Sequence, residues 1–322
     1  MNILVTGGAG FIGSHFLRYQ LSHYPTDRVL NLDCLTYAGN VANVADLASN
    51  PRYHFIQGDI RDAATVSEVL ATHQIDVVVN FAAESHVDRS IEDPAPFVST
   101  NVVGVQVLLD ACRRAQVRLV QVSTDEVYGS IAAGRADEEA PLQPSSPYAA
   151  TKASADLLAM AAHHTFGQDV VITRSANNYG PNQHPEKLVP MIITNARQQR
   201  PLTIQGTGDD IRDWLYVVDN CQAIDLVMRK GVAGEVYNIG GFERRTVLEV
   251  VASLQALLGF PDFQVVHVAE RLGHDHRYAV DDTKLRRALG WQPSTSFAAG
   301  LTKTVRALQH LSKRPRYYPL SS

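Results

Sequence analysis

The sequence predicts a doubly wound α/β fold, a parallel sheet with helices on both faces, joined to a second, smaller, mixed α/β unit. Three observations carry that expectation. Short apolar runs alternate with helix-forming stretches from residue 1 to about 175, the rhythm of repeated strand–helix–strand units. Glycines cluster where the first run meets the first helix, and polar side chains gather just past later runs, where open α/β sheets hold their ligands. After about residue 176 the rhythm gives way to Pro-rich, irregular sequence, as expected where a chain leaves one unit to build another. The expected division is 1–175 plus about 209–240 for the larger unit and about 176–208 plus 241–322 for the smaller.

In order, Ile3-Leu4-Val5 reads as a buried strand, and Thr6-Gly7-Gly8-Ala9-Gly10-Phe11-Ile12-Gly13-Ser14 leads into a helix. The glycines fit both G-x-x-G-x-x-G and G-x-G-x-x-G. They allow a tight turn, close backbone approach to a pyrophosphate, and close helix–strand packing, with phosphates at the helix amino end. The next strand, Val29 to Leu32, ends in Asp33, twenty residues after Gly13. A carboxylate there accepts from a ribose 2′-hydroxyl and repels a 2′-phosphate, so a Rossmann site for NAD rather than NADP is expected. Tyr53 to Gln57 is a third strand, with Asp59 in the following turn placed to meet the adenine end.

A fourth strand, Asp76 to Ala83, runs into the polar Glu84-Ser85-His86-Val87-Asp88-Arg89-Ser90, read as a site wall. Pro94 and Pro96 punctuate a loop before a helix expected over Thr100–Arg114. The fifth strand, Leu119 to Val122, ends in Ser123-Thr124-Asp125-Glu126. Pro147 then opens a helix to about His164 with Tyr148 and Lys152 at i and i+4 on one face. An ammonium within a few ångströms favours the phenolate, lowering a pKa that starts near ~10, so the tyrosine is expected to take a proton from an alcohol. Asp169 to Arg174 is a sixth strand.

Beyond it, Gly206 to Trp214 is expected to be a loop carrying Arg212 beside an aromatic, suited to phosphate and ring contacts. Val236 to Ile239 reads as a strand, Thr246 as the cap of a helix through Leu258, Glu270 to Asp275 as a polar loop, and residues 312–322 as a frayed end. The 322 residues are 45% hydrophobic and 19% charged with a formal charge of −4 and no basic block, which argues against nucleic-acid or anionic-membrane binding. Cys34, Cys112 and Cys221 are odd in number and widely spaced, so neither a disulfide framework nor a metal site is expected of them. With no export signal evident and no apolar run of ~18 residues, the expected setting is the cytoplasm.

T-G-G-A-G-F-I-G-S, F-A-A-E-S-H-V-D-R-S, V-S-T-D-E-V-Y-G, S-P-Y-A-A-T-K, N-N-Y-G-P, P-E-K-L-V-P, I-R-D-W-L-Y, Y-N-I-G-G and R-L-G-H-D follow one another along the chain. In that order they resemble the extended short-chain dehydrogenase/reductases, and specifically the dTDP-glucose 4,6-dehydratases, over nearly the whole length. The resemblance implies Thr124, Asp125, Glu126, Tyr148 and Lys152 as catalytic residues, with Glu126 the C5 base and Asp125 the C6 acid. It implies NAD contacts at Phe11, Ile12, Asp33, Asp59, Ile60, Ala82, Ala83 and Thr100, beside Gly7, Gly10 and Gly13. It places the sugar nucleotide against Ser85, Asn177, Glu186, Lys187, Leu188, Arg212, Arg271 and His274. It also implies a homodimer paired through Thr100–Arg114 and Ala149–His164, whose many alanines permit close packing. Gln205, Val247 and Leu272 depart from the family pattern near the nucleotide end, which leaves the base and the hexose open. A sugar-nucleotide 4-epimerase would need the same Tyr, Lys and NAD, but has no use for the Asp-Glu pair; a non-catalytic NAD-binding module would need none of Thr124, Tyr148 and Lys152, all of which stand here.

Overall fold

The computed structural model describes residues 1–241, 243–259 and 264–311; the expected frayed end at 312–322 lies outside them. Strand β1 (Asn2–Thr6) is followed by helix α1 (Phe11–His23), β2 (Arg28–Asp33), β3 (Tyr53–Gln57), α2 (Ala63–Thr72), β4 (Val77–Asn80) and α3 (Val87–Glu92). Next come α4 (Ala95–Ala115), β5 (Arg118–Thr124), α5 (Pro147–Phe166) and β6 (Val170–Ser175). The remainder is β7 (Asn177–Tyr179), α6 (Leu188–Arg197), β8 (Leu202–Gln205), β9 (Ile211–Tyr216), α7 (Val217–Lys230), β10 (Val236–Ile239), β11 (Glu243–Thr246), α8 (Val247–Leu258), β12 (Val265–Val268), α9 (Thr283–Leu289) and α10 (Phe297–Leu311).

Seven parallel strands form the main sheet in the order β10-β6-β5-β4-β1-β2-β3. Alternation along β1 explains why both faces need helices. Ile3 and Val5 bury against Phe16, Leu17, Ile224 and Val227 on one face, while Leu4 buries with Val66, Leu108 and Leu119 on the other. The order reverses between β1 and β4, and such a switch point opens a crevice at the carboxyl ends of the strands. Beneath that crevice a chain of buried polar groups ties three strands together: the Thr6 hydroxyl donates to Asn80 (2.6 Å) and the Asn80 amide to Gln121 (2.8 Å).

Two expectations are corrected. Ile211–Tyr216 is a strand, not part of a loop; it pairs with β7 and β11 in a second sheet because its Arg212 to Tyr216 side chains are all buried. Helix α4 starts at Ala95, with Pro96 in its first turn, where a missing N–H costs nothing. By length and composition alone that helix could cross a membrane, but it packs against α2, α3 and α5 and 44% of its most apolar stretch is buried; its Ser, Thr, Asn, Gln and Asp residues leave no unbroken apolar run of ~18. A third, two-stranded sheet joins β8 and β12. Thr246 caps α8 as expected, in a reciprocal box with Glu249.

Candidate active site

The crevice holds a cavity of about 750 Å³. One side of it is glycine turn. Gly7 has φ +70°, and a Cβ there would fall 2.6 Å from the Ala82 nitrogen; at Gly13 it would fall 2.4 Å from the Gly7 carbonyl. No side chain caps α1 at Gly10, so its first-turn N–H groups are left for an anion. Gly7, Gly10, Phe11, Ile12, Gly13, Asp33, Asp59, Ile60, Ala82, Ala83 and Thr100 all line this cavity. Asp33 is held at its rim by the N–H groups of Ala9 (2.9 Å) and Leu35 (2.8 Å). Asp59 pairs with Arg61 at 2.5 Å. A glycine turn shaped for close approach, an uncapped helix end and a carboxylate at the end of β2 together fit the pyrophosphate and ribose of NAD.

The catalytic candidates come from β5 and α5. Thr124 ends the strand and accepts from the Glu126 N–H (3.2 Å), starting a single 3₁₀ turn over Asp125–Tyr128. That turn presents both carboxylates to the cavity. Gly129 lets the chain leave it: at φ +69°, any Cβ would sit 2.2 Å from the Gln143 carbonyl. Ser146 caps α5, Pro147 fills its first position, and the Tyr148 N–H donates to Ser90 (3.1 Å), so the phenol enters the cavity from a fixed helix end.

The two acids differ in environment. Asp125 is buried, its Oδ2 has no hydrogen-bond partner among the described residues, and burial followed by the charges of Glu126 and Asp213 holds it well above the usual carboxylate range. Glu126 is also raised by burial, but Lys187, Arg271 and Arg212 oppose the shift. Asp213 itself is pushed up to about 6, chiefly by burial.

One expectation about Tyr148 is reversed. Its pKa stands well above the usual tyrosine value, because burial and the charge of Glu126 outweigh the hydrogen bond to Thr124. Lys152 does not offset this: its ammonium donates to the Val122 carbonyl at 2.6 Å, and burial lowers its pKa to about 8 against the opposing charge of Asp156.

Of the expected sugar-nucleotide contacts, Ser85, Asn177, Glu186 and Lys187 line the cavity, whereas Leu188, Arg212, Arg271 and His274 do not. Lys187 donates to the Ser85 carbonyl (3.0 Å), and Glu186 sits among His86, His184 and Arg89 at 3.4, 3.3 and 3.8 Å. Arg212 donates to the Asp275 carbonyl (2.7 Å) and stacks over Tyr278, Arg271 reaches Asp88 at 3.7 Å, and His274 reaches Asp210 at 2.8 Å. Leu188 opens α6. Gln205 ends β8, Val247 begins α8 and Leu272 is 78% exposed, so none of the three departures touches the cavity.

Sequence reasoning passed over the segment after β2. Tyr37, Gly39 and Asn40 line the cavity, and Tyr37 lies under the Arg89 guanidinium at 3.9 Å. The available signal was position: a polar stretch just past a strand end on the same edge as the glycine turn.

Residues 4–304 match the family model described as GDP-mannose 4,6 dehydratase. The chain is 51% identical over 310 residues to a dTDP-glucose 4,6-dehydratase of Streptomyces niveus, covering 95% of this chain and 92% of the relative. It is 50% identical over 306 residues to the low-salt glycan biosynthesis protein Agl12 of Haloferax volcanii, covering 95% and 97%. Among solved structures it is similar to a dTDP-glucose 4,6-dehydratase of Streptomyces venezuelae with NAD and TYD bound, at TM-score 0.94 and 50% identity, covering 96% and 97% of the two chains.

Proposed function

The chain belongs to the dTDP-glucose 4,6-dehydratases within the GDP-mannose 4,6 dehydratase family, and we propose that it converts dTDP-glucose to dTDP-4-keto-6-deoxyglucose with NAD as a recycled cofactor. The observation that carries the reading is the unlike pair Asp125 and Glu126 on one turn beside Tyr148. An epimerase has no step for such a pair.

Gly7, Gly10, Gly13 and Asp33 would hold NAD, which supplies the oxidant at C4 and the reductant at C6. Tyr148 takes the C4 hydroxyl proton, positioned by Thr124, within hydrogen-bond reach of the phenol. To act as that base Tyr148 must first be the phenolate, which burial and the charge of Glu126 oppose; Lys152, fixed four residues along the helix, supplies the positive charge that favours it below pH of about 8. The resulting 4-ketone acidifies C5–H. Glu126, with three cations around it, is the group able to be ionised and accept the C5 proton, while Asp125, kept protonated by burial, gives its proton to the departing C6 hydroxyl as water. Glu126 then returns its proton to C5. Proton balance requires the one on Tyr148 to reach Asp125, and the Thr124 hydroxyl, 3.3 Å from Asp125 Oδ1, is the group between them.

Ser85, Asn177, Glu186 and Lys187, which line the cavity, are best placed for the sugar nucleotide, and Leu188 at the start of α6, Arg212 on β9, and Arg271 and His274 of the loop beyond β12 would join them only by moving toward it. The division is into an NAD unit of 1–175 plus about 209–240 and a nucleotide-sugar unit of the remainder; β1–β6 and β10 in one sheet support it, whereas β9, which pairs in the second sheet, and Ser85, which would meet the sugar nucleotide from the NAD unit, cross it. The working form is a homodimer through α4 and α5, whose Val98, Val103, Leu157, Met160 and Phe166 are 41–61% exposed and would bury against a second copy. A concentration-independent monomer mass by light scattering would contradict it. Three free cysteines suit a cytoplasmic setting.

Incubation with dTDP-, UDP-, CDP- and GDP-glucose, with products weighed by mass spectrometry, tests the reaction. Loss of water from dTDP-glucose is expected; isomerisation without mass change would replace the reading with an epimerase, and water loss confined to another nucleotide would correct the substrate.

A further inference from the structure

From Lys152, which lines the cavity, a row of buried charges runs to Asp156 and Arg174, neither of which lines it. Lys152 and Asp156 stand one turn apart, at i and i+4 on α5, and Arg174 comes from the adjoining β6. We propose that Asp156, anchored by Arg174, is a positioning residue: its carboxylate keeps Lys152 charged one turn from Tyr148. The role rests on the reaction proposed for the cavity, in which Tyr148 takes the C4 hydroxyl proton.

The carboxylate is held from one side. Arg174 Nε donates to Asp156 Oδ2 at 2.9 Å. The guanidinium is itself fixed, because it also donates to the Tyr128 hydroxyl (2.8 Å) and lies over the Tyr128 ring at 5.0 Å. That hydroxyl donates in turn to Asn238 Oδ1 (2.8 Å), and the Asn238 amide donates to the Ala136 and Asp281 carbonyls at 3.0 and 3.1 Å. Asp156 Oδ1, by contrast, has no aligned hydrogen-bond partner among the described residues, although the Ser123 hydroxyl is near. Much of its charge is thus left uncompensated by hydrogen bonds. An apolar pair of similar size is often as stable as a buried ion pair, so stability alone does not account for this arrangement.

Lys152 needs that charge. Its ammonium donates to a neutral group, the Val122 carbonyl, and Asp156 is the charge that opposes the fall of its pKa on burial. Burial raises Asp156 in turn, against the charges of Arg174 and Lys152. The other titratable groups face the ends of the row: Glu126, Asp125 and Tyr37 face Tyr148, while Tyr128, with Glu138 beyond it, faces Arg174. Without the Asp156 charge, Lys152 gives up its proton at lower pH. Below that pH the phenolate fraction depends on Tyr148 alone, so parent and variant should react alike. Above it, Tyr148 and Lys152 share one proton, and a weaker lysine base leaves less phenolate.

The chain has six lysines, so the full NAD-loaded protein carrying ¹³C at lysine Cε allows an NMR titration of Lys152, its signal assigned with Lys152→Met. Asp156→Asn should titrate ~1 pH unit or more below the parent, and Asp156→Glu, which keeps the charge, closer to it. With dTDP-glucose, single-turnover NADH formation by Asp156→Asn should match the parent on the acid side and level off ~10-fold lower on the alkaline side; a folding defect would lower the rate at every pH. Since Asp156→Asn leaves Arg174 without its counter-charge, the double variant Asp156→Asn, Arg174→Gln, a neutral pair, should show the lowered Lys152 midpoint as well. A Lys152 midpoint unmoved in both variants overturns the role, as do rate profiles that coincide throughout or differ by one factor at every pH. Absence of NADH in the parent would overturn the reaction and the role with it, a failure that an unmoved Lys152 signal in an active parent does not resemble.

Discussion

The two sides of the cavity are built from different materials. The cofactor side is largely backbone and small residues, Gly7, Gly10, Gly13, Ala82 and Ala83, taken from the ends of neighbouring parallel strands. The reacting side is ionisable side chains, Asp125, Glu126, Tyr148, Lys152 and Lys187, whose charge states depend on one another and on burial. The first side therefore fails sterically and the second electrostatically. A steric change should alter binding and stability together, whereas an electrostatic change should alter rate while leaving the fold, or even improving it.

Tyr148→Phe should have the largest effect. Loss of a general base is worth ~10²–10⁴-fold, and no NADH should form with dTDP-glucose; NADH at the parent rate would remove Tyr148 from the first step. On the other side, Gly7→Ala places a Cβ in a left-handed backbone and against Ala82, costs of ~1–2 and ~1–3 kcal/mol. Purified protein should carry little NAD and melt lower, and normal NAD content would show that the turn is not needed for binding.

Asp125→Asn should slow water loss yet raise stability. The folded carboxyl has its pKa raised above the unfolded value of 3.8, so the native state binds the extra proton and its stability falls as pH rises from 3.8 toward the folded pKa, by ~1.4 kcal/mol for each unit. The variant should therefore melt higher than the parent at pH 7, with the gap closing toward pH 4. A variant that melts lower at pH 7 would mean that Asp125 is not strained by burial. The smallest expected effect is at Arg271, one of three cations near Glu126 and partly exposed beside Asp88. Arg271→Ala should raise the Glu126 pKa and lower turnover a few-fold on the acid side, on the ~0–1 kcal/mol scale of exposed charge pairs; a rate-versus-pH profile that does not move would exclude the contact.

The same division explains what the sequence revealed. The parallel sheet, its switch point and the glycine turn are legible because each rests on residues near one another in the chain: Gly7 to Gly13, then Asp33 at the next strand end. The spacing of Tyr148 and Lys152 was legible too. The sign of the Tyr148 shift was not, since it depends on Glu126 and on burial under loops from elsewhere, and on Lys152 turning to the Val122 carbonyl. Strand β9 was misread because Gly206 to Asp210 has loop composition and runs straight into Ile211, whose strand partners, β7 and β11, lie outside any local window. Arg212, Arg271 and His274 were placed by resemblance, whereas here they are engaged with Asp275, Asp88 and Asp210, contacts that no spacing rule announces.

The most direct test of the unlike acids is single-turnover absorbance of Glu126→Gln mixed with dTDP-glucose, read beside product mass. Oxidation rests on Tyr148, Thr124 and Lys152, so NADH should appear and persist, with no loss of water, because a neutral amide cannot take the C5 proton. Full dehydration at the parent rate, or the absence of any NADH despite tight substrate binding, would contradict the roles assigned to the Asp125–Glu126 pair.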